Sequence, residues 1–498
     1  MVISAIIITL MFVTVIGLVL TDKMNRAIAA LGGAIVTFFV LTYIDGVSFI
    51  SFMGFLFGTQ GDSFVNLHSL ILILGMMFLV QVCNEAGVFQ YYAFVLVQHT
   101  KGNPRYLLLI ICALSVGLSA ILNNILTVII LIPLIITVSR ILSINPTPYI
   151  ITSAILVNIG GMVFPISSIP NILITSYANI TFLEFFFNVG LISLLVFGIS
   201  LLFFHIIFKD RLDVPQERLV KVLEDFNAWN FVPDKRVFSI SRWTLLFVLV
   251  GIFTLEPVGI EPSMIALTGG ILLTIITRLN AKEILEKIDF ELLLYLLGIF
   301  VLSGALELVG IINFIGAGLS YLTGGNVFVT IMIIMWFSAF LSSTIDNIPI
   351  TKVLIPIVGV IGTNFTVAQV KEFYYGLAFG ANLGDNLTPM GDNILVMKIA
   401  EANERPISTS TFFKLGFLTT IIQLFALTIY YALYMVPIFG ILLLILVGIG
   451  ILSIYLFNYF EKKYGKIEFS RYYKIKQRIL KILKKIGDKI GIKKHRKN

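Results

Sequence analysis

The feature that most restricts this chain is a succession of apolar runs of bilayer length, broken at a few places by Asn, Gly and Pro. The runs read as spanning are Val2–Leu20, Ala27–Ile44, Leu67–Val82, Phe182–Phe208, Trp243–Leu255, Pro262–Thr277, Phe290–Leu308, Phe412–Val436 and Pro437–Phe457. Each is about the length that the hydrocarbon layer asks of a helix, allowing for tilt. Of the 498 residues, 58% are hydrophobic and only 12% charged, with a mean hydropathy of +1.00. A soluble domain carries about a quarter charged residues, so this chain has too little polar surface to meet water. The expectation is an all-α integral membrane protein with roughly 10–13 transmembrane segments. Val2–Leu20 lacks a basic leader and reads as a membrane helix, not a cleaved signal.

Lys and Arg set the expected orientation. They follow the first run (Lys23, Arg26), flank an interrupted region (Lys101, Arg105, Arg140) and number seven between Lys209 and Arg242. They recur at Arg278, Lys282 and Lys287, and none lies between Asp45 and Asn66. The positive-inside rule places these basic stretches in the cytoplasm of a multi-pass cell-membrane protein, with the N-terminus outside and the C-terminus inside. From Asn458 to Asn498 there are fifteen Lys/Arg against three Asp/Glu. There Ile475, Ile479, Ile482, Leu483, Ile486 and Ile490 recur at helical spacing between lysines. That pattern predicts a basic amphipathic helix resting on anionic lipids, not a nucleic-acid-binding segment.

An internal repeat organises the chain. A shift of 223 residues brings Gly75 onto Gly298, Gly87 onto Gly310, Asn124 onto Asn347 and Pro133 onto Pro356. After one inserted residue, Asn158, Gly160 and Pro165 fall on Asn382, Gly384 and Pro389. The first copy is preceded by a loop without basic residues and the second by a basic one, so the copies should run in opposite directions. Inverted repeats give a protein two related conformations around one midplane site. The expected divisions are N-terminal transmembrane helices (1–66), first repeat (67–208), cytoplasmic loop (209–242), linking helices (243–289), second repeat (290–436), final transmembrane helix (437–457) and basic tail (458–498).

Polar residues inside the apolar runs mark where chemistry would sit, because unsatisfied backbone is expensive in lipid unless it lines a cavity. Leu122-Asn123-Asn124-Ile125-Leu126-Thr127 separates two short apolar pieces and reads as the tip of a re-entrant hairpin. Its partner is the stretch from Ser342 to Pro349, with Asp346-Asn347 at its centre and Thr351 just beyond it as a further candidate ligand. The second pair, read as broken helices, runs from Asn158 through Gly160, Gly161, Ser167 and Ser168 to Asn171, and from Asn382 through Gly384, Asp385, Asn386, Thr388 and Asp392 to Asn393. Half-helix ends and unwound carbonyls can replace the hydration shell of a small cation, and half-helix N-termini favour an anion.

These clusters resemble the signatures of the ion transporter superfamily, which includes arsenite permeases, one class of Na⁺/H⁺ antiporters, the P-protein-like carriers, and the citrate and dicarboxylate carriers. The likeness rests on Asn123-Asn124 before Leu131-Ile132-Pro133, and on Asp346-Asn347 before Leu354-Ile355-Pro356. It rests also on Asn158-Ile159-Gly160-Gly161 with Pro165, Pro170 and Asn171, and on Asn382-Leu383-Gly384 with Thr388-Pro389-Met390-Gly391. It covers Leu67 to Val436. Phe164 stands where that pattern has Thr, Ser167 where it has Gly, and neither tip carries the Ser-Asn-Thr triplet of dicarboxylate binders. The resemblance implies a secondary active permease, not an enzyme, in which hairpins and broken helices move against a scaffold with room for a homodimer.

The second half adds three acids, Asp346, Asp385 and Asp392, with Lys352 the basic residue nearest Asp346 in sequence. Carboxylates within a membrane are costly unless paired or functional. The leading expectation is therefore antiport, with protons exchanged for a cation such as Na⁺ at these acids and at Asn123, Asn124, Asn347 and Asn382. The alternative is a cation-coupled carrier of an anion or oxyanion such as arsenite, citrate or a dicarboxylate, and an intramembrane enzyme is a remote third. Glu85 and Glu307 read as helix-end residues. Cys83 and Cys112 are too few for a disulfide framework, and the scattered His68, His99, His205 and His495 suggest no metal centre. No cofactor is expected beyond a coupling ion, Na⁺ or H⁺.

Overall fold

A computed structural model describes residues 2–21, 23–208, 212–389 and 392–464, and the described residues form helices and loops without a strand. The chain opens with α1 (Val2–Leu20), α2 (Arg26–Asp45) and the short α3 (Phe49–Phe57). A first series follows: α4 (Val65–Glu85), α5 (Val88–Gln98), α6 (Pro104–Ser119), α7 (Asn124–Leu142), α8 (Thr147–Gly160), α9 (Ile169–Ala178), α10 (Phe182–Phe185) and α11 (Leu191–Phe208). A π turn over Phe186–Gly190 joins the last two. Next come α12 (Glu217–Asp225), α13 (Lys235–Leu255), α14 (Pro262–Thr277) and α15 (Ala281–Glu286). The second series is α16 (Phe290–Leu308), α17 (Ile311–Thr323), α18 (Val327–Ser342), α19 (Asn347–Gly362), α20 (Val367–Gly384), α21 (Asp392–Ala402) and α22 (Thr409–Met435), with α23 (Pro437–Tyr464) last.

Among the described residues, eight helical segments are long and apolar enough to cross a membrane, and eight shorter apolar helices accompany them. Local chemistry sets where they begin. Asn103 caps α6 ahead of Pro104 at its first position, and Asn326 caps α18 through a 3.1 Å bond from Val329 N. Gly87 and Gly310, repeat partners, start α5 and α17 with φ of +75° and +83°, a conformation open to glycine without steric cost. Three elements depart from the hydropathy reading. α3 lies in a stretch read as loop, and α13 starts well before Trp243 because Asp234 caps a polar first turn. α7 is a full 19-residue helix, not a short arm, because it runs on through Pro133 to Leu142.

The two series run in opposite directions. Lys287, just before α16, pairs with Glu85 at the end of α4 at 2.7 Å. One end of the molecule therefore holds the finish of α4 and the start of α16. α2 packs along α16 and α14 along α4, while α1 and α13 back them in the same way. The contacts are close because the residues are small. A Cβ on Gly75 would lie 2.4 Å from Leu267 N, and one on Gly298 would lie 2.5 Å from the Ala30 carbonyl carbon. Lipid offers helices no hydrophobic drive to associate, so such close packing carries much of the cohesion. Outward faces such as Leu202, Ile206, Phe247 and Ile275 are exposed apolar side chains, as lipid contact requires. The basic tail beyond Tyr464, where the amphipathic helix was expected, lies outside the described residues.

Candidate functional site

Each series contains a hairpin, α6–α7 or α18–α19, and a broken helix, α8–α9 or α20–α21. At the hairpin tips Asn123 Oδ1 accepts Leu126 N at 2.8 Å, and Asp346 Oδ1 accepts Ile348 N at 3.2 Å. The position where the repeats differ, Asn in one and Asp in the other, is thus an N-cap that either side chain can fill. The carboxylate adds a favourable interaction with the positive helix end.

Behind the tips the two halves are joined by a buried chain of amides. Asn124 Nδ2 donates to Asn158 Oδ1 at 2.7 Å, and Asn158 Nδ2 donates to Asn386 Oδ1 at 3.0 Å. Asn386 Nδ2 then donates to the Ile155 carbonyl at 2.8 Å. From the other side, Ser168 Oγ donates to Asn382 Oδ1 at 2.6 Å, and Asn382 Nδ2 donates to Asn171 Oδ1 at 2.8 Å. The same motif recurs in each half: Asn171 Nδ2 donates to the Gly161 carbonyl and Asn393 Nδ2 to the Asp385 carbonyl, at 2.8 and 2.9 Å. The Asp385 carboxylate receives Ser342 Oγ at 2.8 Å and Asn347 Nδ2 at 2.6 Å, and Thr388 Oγ1 donates to the Ser343 carbonyl. In the first half Ser119 Oγ lies 2.9 Å from Asn124 Oδ1 and 2.7 Å from the Val157 carbonyl oxygen, its single proton shared between the two acceptors.

A cavity of about 330 Å³ lies beside this network. Asn123, Asn124, Ser167, Ser168, Asp346 and Asn347 line it, together with Met77, Val80 and Ile129. Arg26, Lys287 and Asp289 stand at its edge. Both cations are engaged. Arg26 pairs with Asp289 and Glu291, each at 3.0 Å, and Lys287 pairs with Glu85. The N-termini facing the cavity are also largely occupied. Asn25 caps α2, Asn123 caps α7, Asp289 caps α16 and Asp346 caps α19. What the cavity still offers is a half-buried carboxylate with amide and hydroxyl groups.

Several predicted site residues sit elsewhere. Thr127 is buried and donates to the Asn123 carbonyl, Thr351 is buried in α19, and neither lines the cavity. Gly160 and Gly384 are packing residues. A Cβ would lie 2.5 Å from the Val116 carbonyl oxygen at the first and 2.4 Å from that of Ala339 at the second. Asp392 begins α21, and its side chain is outside the described residues. Lys352 does not neutralise Asp346. Its Nζ donates to Asn66 Oδ1 at 2.6 Å, and Arg26 and Lys287 are the cations that share the cavity with Asp346. The sequence reading missed Ser119 and took Ser342 only as the start of the second tip, although the 223-residue shift that pairs Asn124 with Asn347 pairs these two serines as well. Arg26 and Asp289 carried no motif signal and reach the site only through helix packing.

Inverted series, each with a hairpin and a broken helix meeting at a polar cavity, define a multi-pass membrane transporter. The sequence profile of the citrate transporter family matches residues 16–371, and the chain belongs to that family. A 46 kDa membrane protein of Mycobacterium leprae is 29% identical over 424 residues, covering 84% of this chain and 96% of that protein. The P protein of Sus scrofa is 24% identical over 481 residues, covering 80% of this chain and 56% of that longer protein. Among solved structures, the Alcanivorax borkumensis YdaH transporter superposes with a TM-score of 0.57 at 15% identity, covering 79% of this chain and 90% of that one. This last likeness shows the fold alone.

Proposed function

We propose that the protein is a secondary active transporter that exchanges protons for a small cation, Na⁺ first among candidates, by alternating access. The observation that carries this reading is the state of the cavity's charges. Both cations at its edge already hold carboxylates, whereas Asp346 faces the space and Asp385 lies one layer behind it on Ser342 and Asn347. Oxygen ligands of this kind suit a hard monovalent cation or a proton and offer little to a free anion. The cavity opens where α4 ends and α16 begins, the side that the basic residues assign to the cytoplasm, so the conformation is read as inward-open.

A second reading, cation-coupled carriage of a small anion, is favoured by the citrate transporter family and by α9. Ser168 turns its hydroxyl to Asn382, leaving the α9 N-terminus without a side-chain cap at the cavity. One experiment separates the two: flux in proteoliposomes under imposed Na⁺ and proton gradients, with and without citrate. Antiport predicts Na⁺-driven proton movement without any anion, lost in Asp385→Asn. Flux that requires the anion, and is lost in Arg26→Gln, would replace it with the second reading.

A further inference from the structure

We infer that Lys352 is a latch that holds the second hairpin against the scaffold on the side away from the open cavity. The inference rests on the alternating-access reading above. Lys352 lies on α19, and its ammonium donates to Asn66 on α4 at 2.6 Å and sits 4.6 Å from the centroid of the Phe300 ring on α16. One turn below Pro356, which has no N–H to give, the Lys352 carbonyl accepts Ser303 Oγ from α16 at 3.0 Å. Three residues of the surrounding helices thus grip one residue of the hairpin arm.

The repeat shows what these contacts mean. Under the 223-residue shift, Lys352 corresponds to Ile129, Asn66 to Asp289, Phe300 to Met77 and Ser303 to Val80. All four counterparts line the open cavity. The positions that stand apart on the open side are in contact on the other side, as expected of one inverted device seen half-open. The two faces are not chemically alike. Where the latch has Lys352 the open side has Ile129, which is 45% exposed and cannot bond to Asp289. Only one of the two end states therefore carries an ammonium–amide bond. Glu307 and Asp62 add electrostatic attraction from further off.

The latch biases the resting equilibrium toward the conformation described here, and breaking it should shift the population the other way. Two single-cysteine reporters read this without any substrate, in a background carrying Cys83→Ala and Cys112→Ala. Ile129→Cys reports the open cavity. Ser69→Cys reports the opposite side, because Ser69 is 1% exposed and its repeat partner Leu292 lines the cavity. With a water-soluble maleimide, Lys352→Met and Asn66→Ala should each raise the labelling rate at position 69 and lower it at 129, moving the ratio of the two rates by about fivefold, the shift in an equilibrium constant that loss of one modest hydrogen bond gives. Lys352→Arg should stay near the parent rates. Unchanged rates at both positions would refute the latch. A rise at both would show loosened packing and refute it equally. A failed flux assay would leave these reciprocal changes intact, so the transport reading and the latch fail separately.

Discussion

Asn386→Ala removes the one side chain seen to hydrogen-bond both Asn158 and the backbone of α8. It deletes the 3.0 Å bond from Asn158 Nδ2 and the 2.8 Å bond to the Ile155 carbonyl, leaving a buried donor and a buried acceptor without those partners. In soluble cores each such orphan costs about 1–3 kcal/mol, but interhelical bonds in membranes average about 0.6 and reach about 1.7. The membrane figure applies here, so the two bonds together should be worth about 1–3 kcal/mol. A 1 kcal/mol change moves Tm by about 2–4 °C in a 150–250-residue domain and by less in a longer chain, so a drop of about 2–5 °C is expected. The native thiols supply the assay. Cys83 and Cys112 are free and buried, so a maleimide that fluoresces on reaction reports unfolding in detergent. Asn158→Ala and the double variant complete a cycle whose non-additivity isolates the Asn158–Asn386 bond. An Asn386→Ala protein melting within about 1 °C of the parent, or an additive cycle, would refute the claim that this amide clamps the halves together.

Gly160→Ala and Gly384→Ala should each destabilise by about 1–3 kcal/mol in the same assay, because the new methyl meets backbone of the neighbouring hairpin arm. Equal stability would mean that α6 and α18 yield freely. Asp346→Asn should fold normally, since Asn123 fills the matching cap, yet lose the pH dependence of transport; retained pH dependence would make Asp346 a cap only. For topology, a cysteine at position 225 in α12 should resist membrane-impermeant reagents in intact cells, and ready labelling there would reverse the orientation.

Much of the architecture was legible in the sequence because lipid removes alternatives. A backbone in hydrocarbon must bond to itself, so apolar runs become helices and their polar interruptions become breaks. The Gly, Asn and Pro matches marked the paired hairpins and broken helices, since those residue types are needed for local backbone geometry that any copy of the fold must repeat. The helices missed or mis-sized, α3, α7 and the start of α13, were decided by caps and polar first turns that average hydropathy does not weigh.

The acids show the limit most plainly. Sequence alone determined that Asp346, Asp385 and Lys352 lie in membrane-embedded segments, and proximity along the chain made Lys352 one candidate partner of Asp346 beside the cation-site reading. The tertiary structure decided otherwise, sending Lys352 to Asn66 and setting Asp346 across a cavity from Arg26, a residue 320 positions earlier in the chain. The physical reason is that Asp346 caps α19 and Lys352 follows six residues later, which turns the two about 120° apart around the helix and more than one turn apart along it. Which charge each then meets depends on the helices packed there, and that packing is set by small residues such as Gly75 and Gly298, far from the acids in sequence.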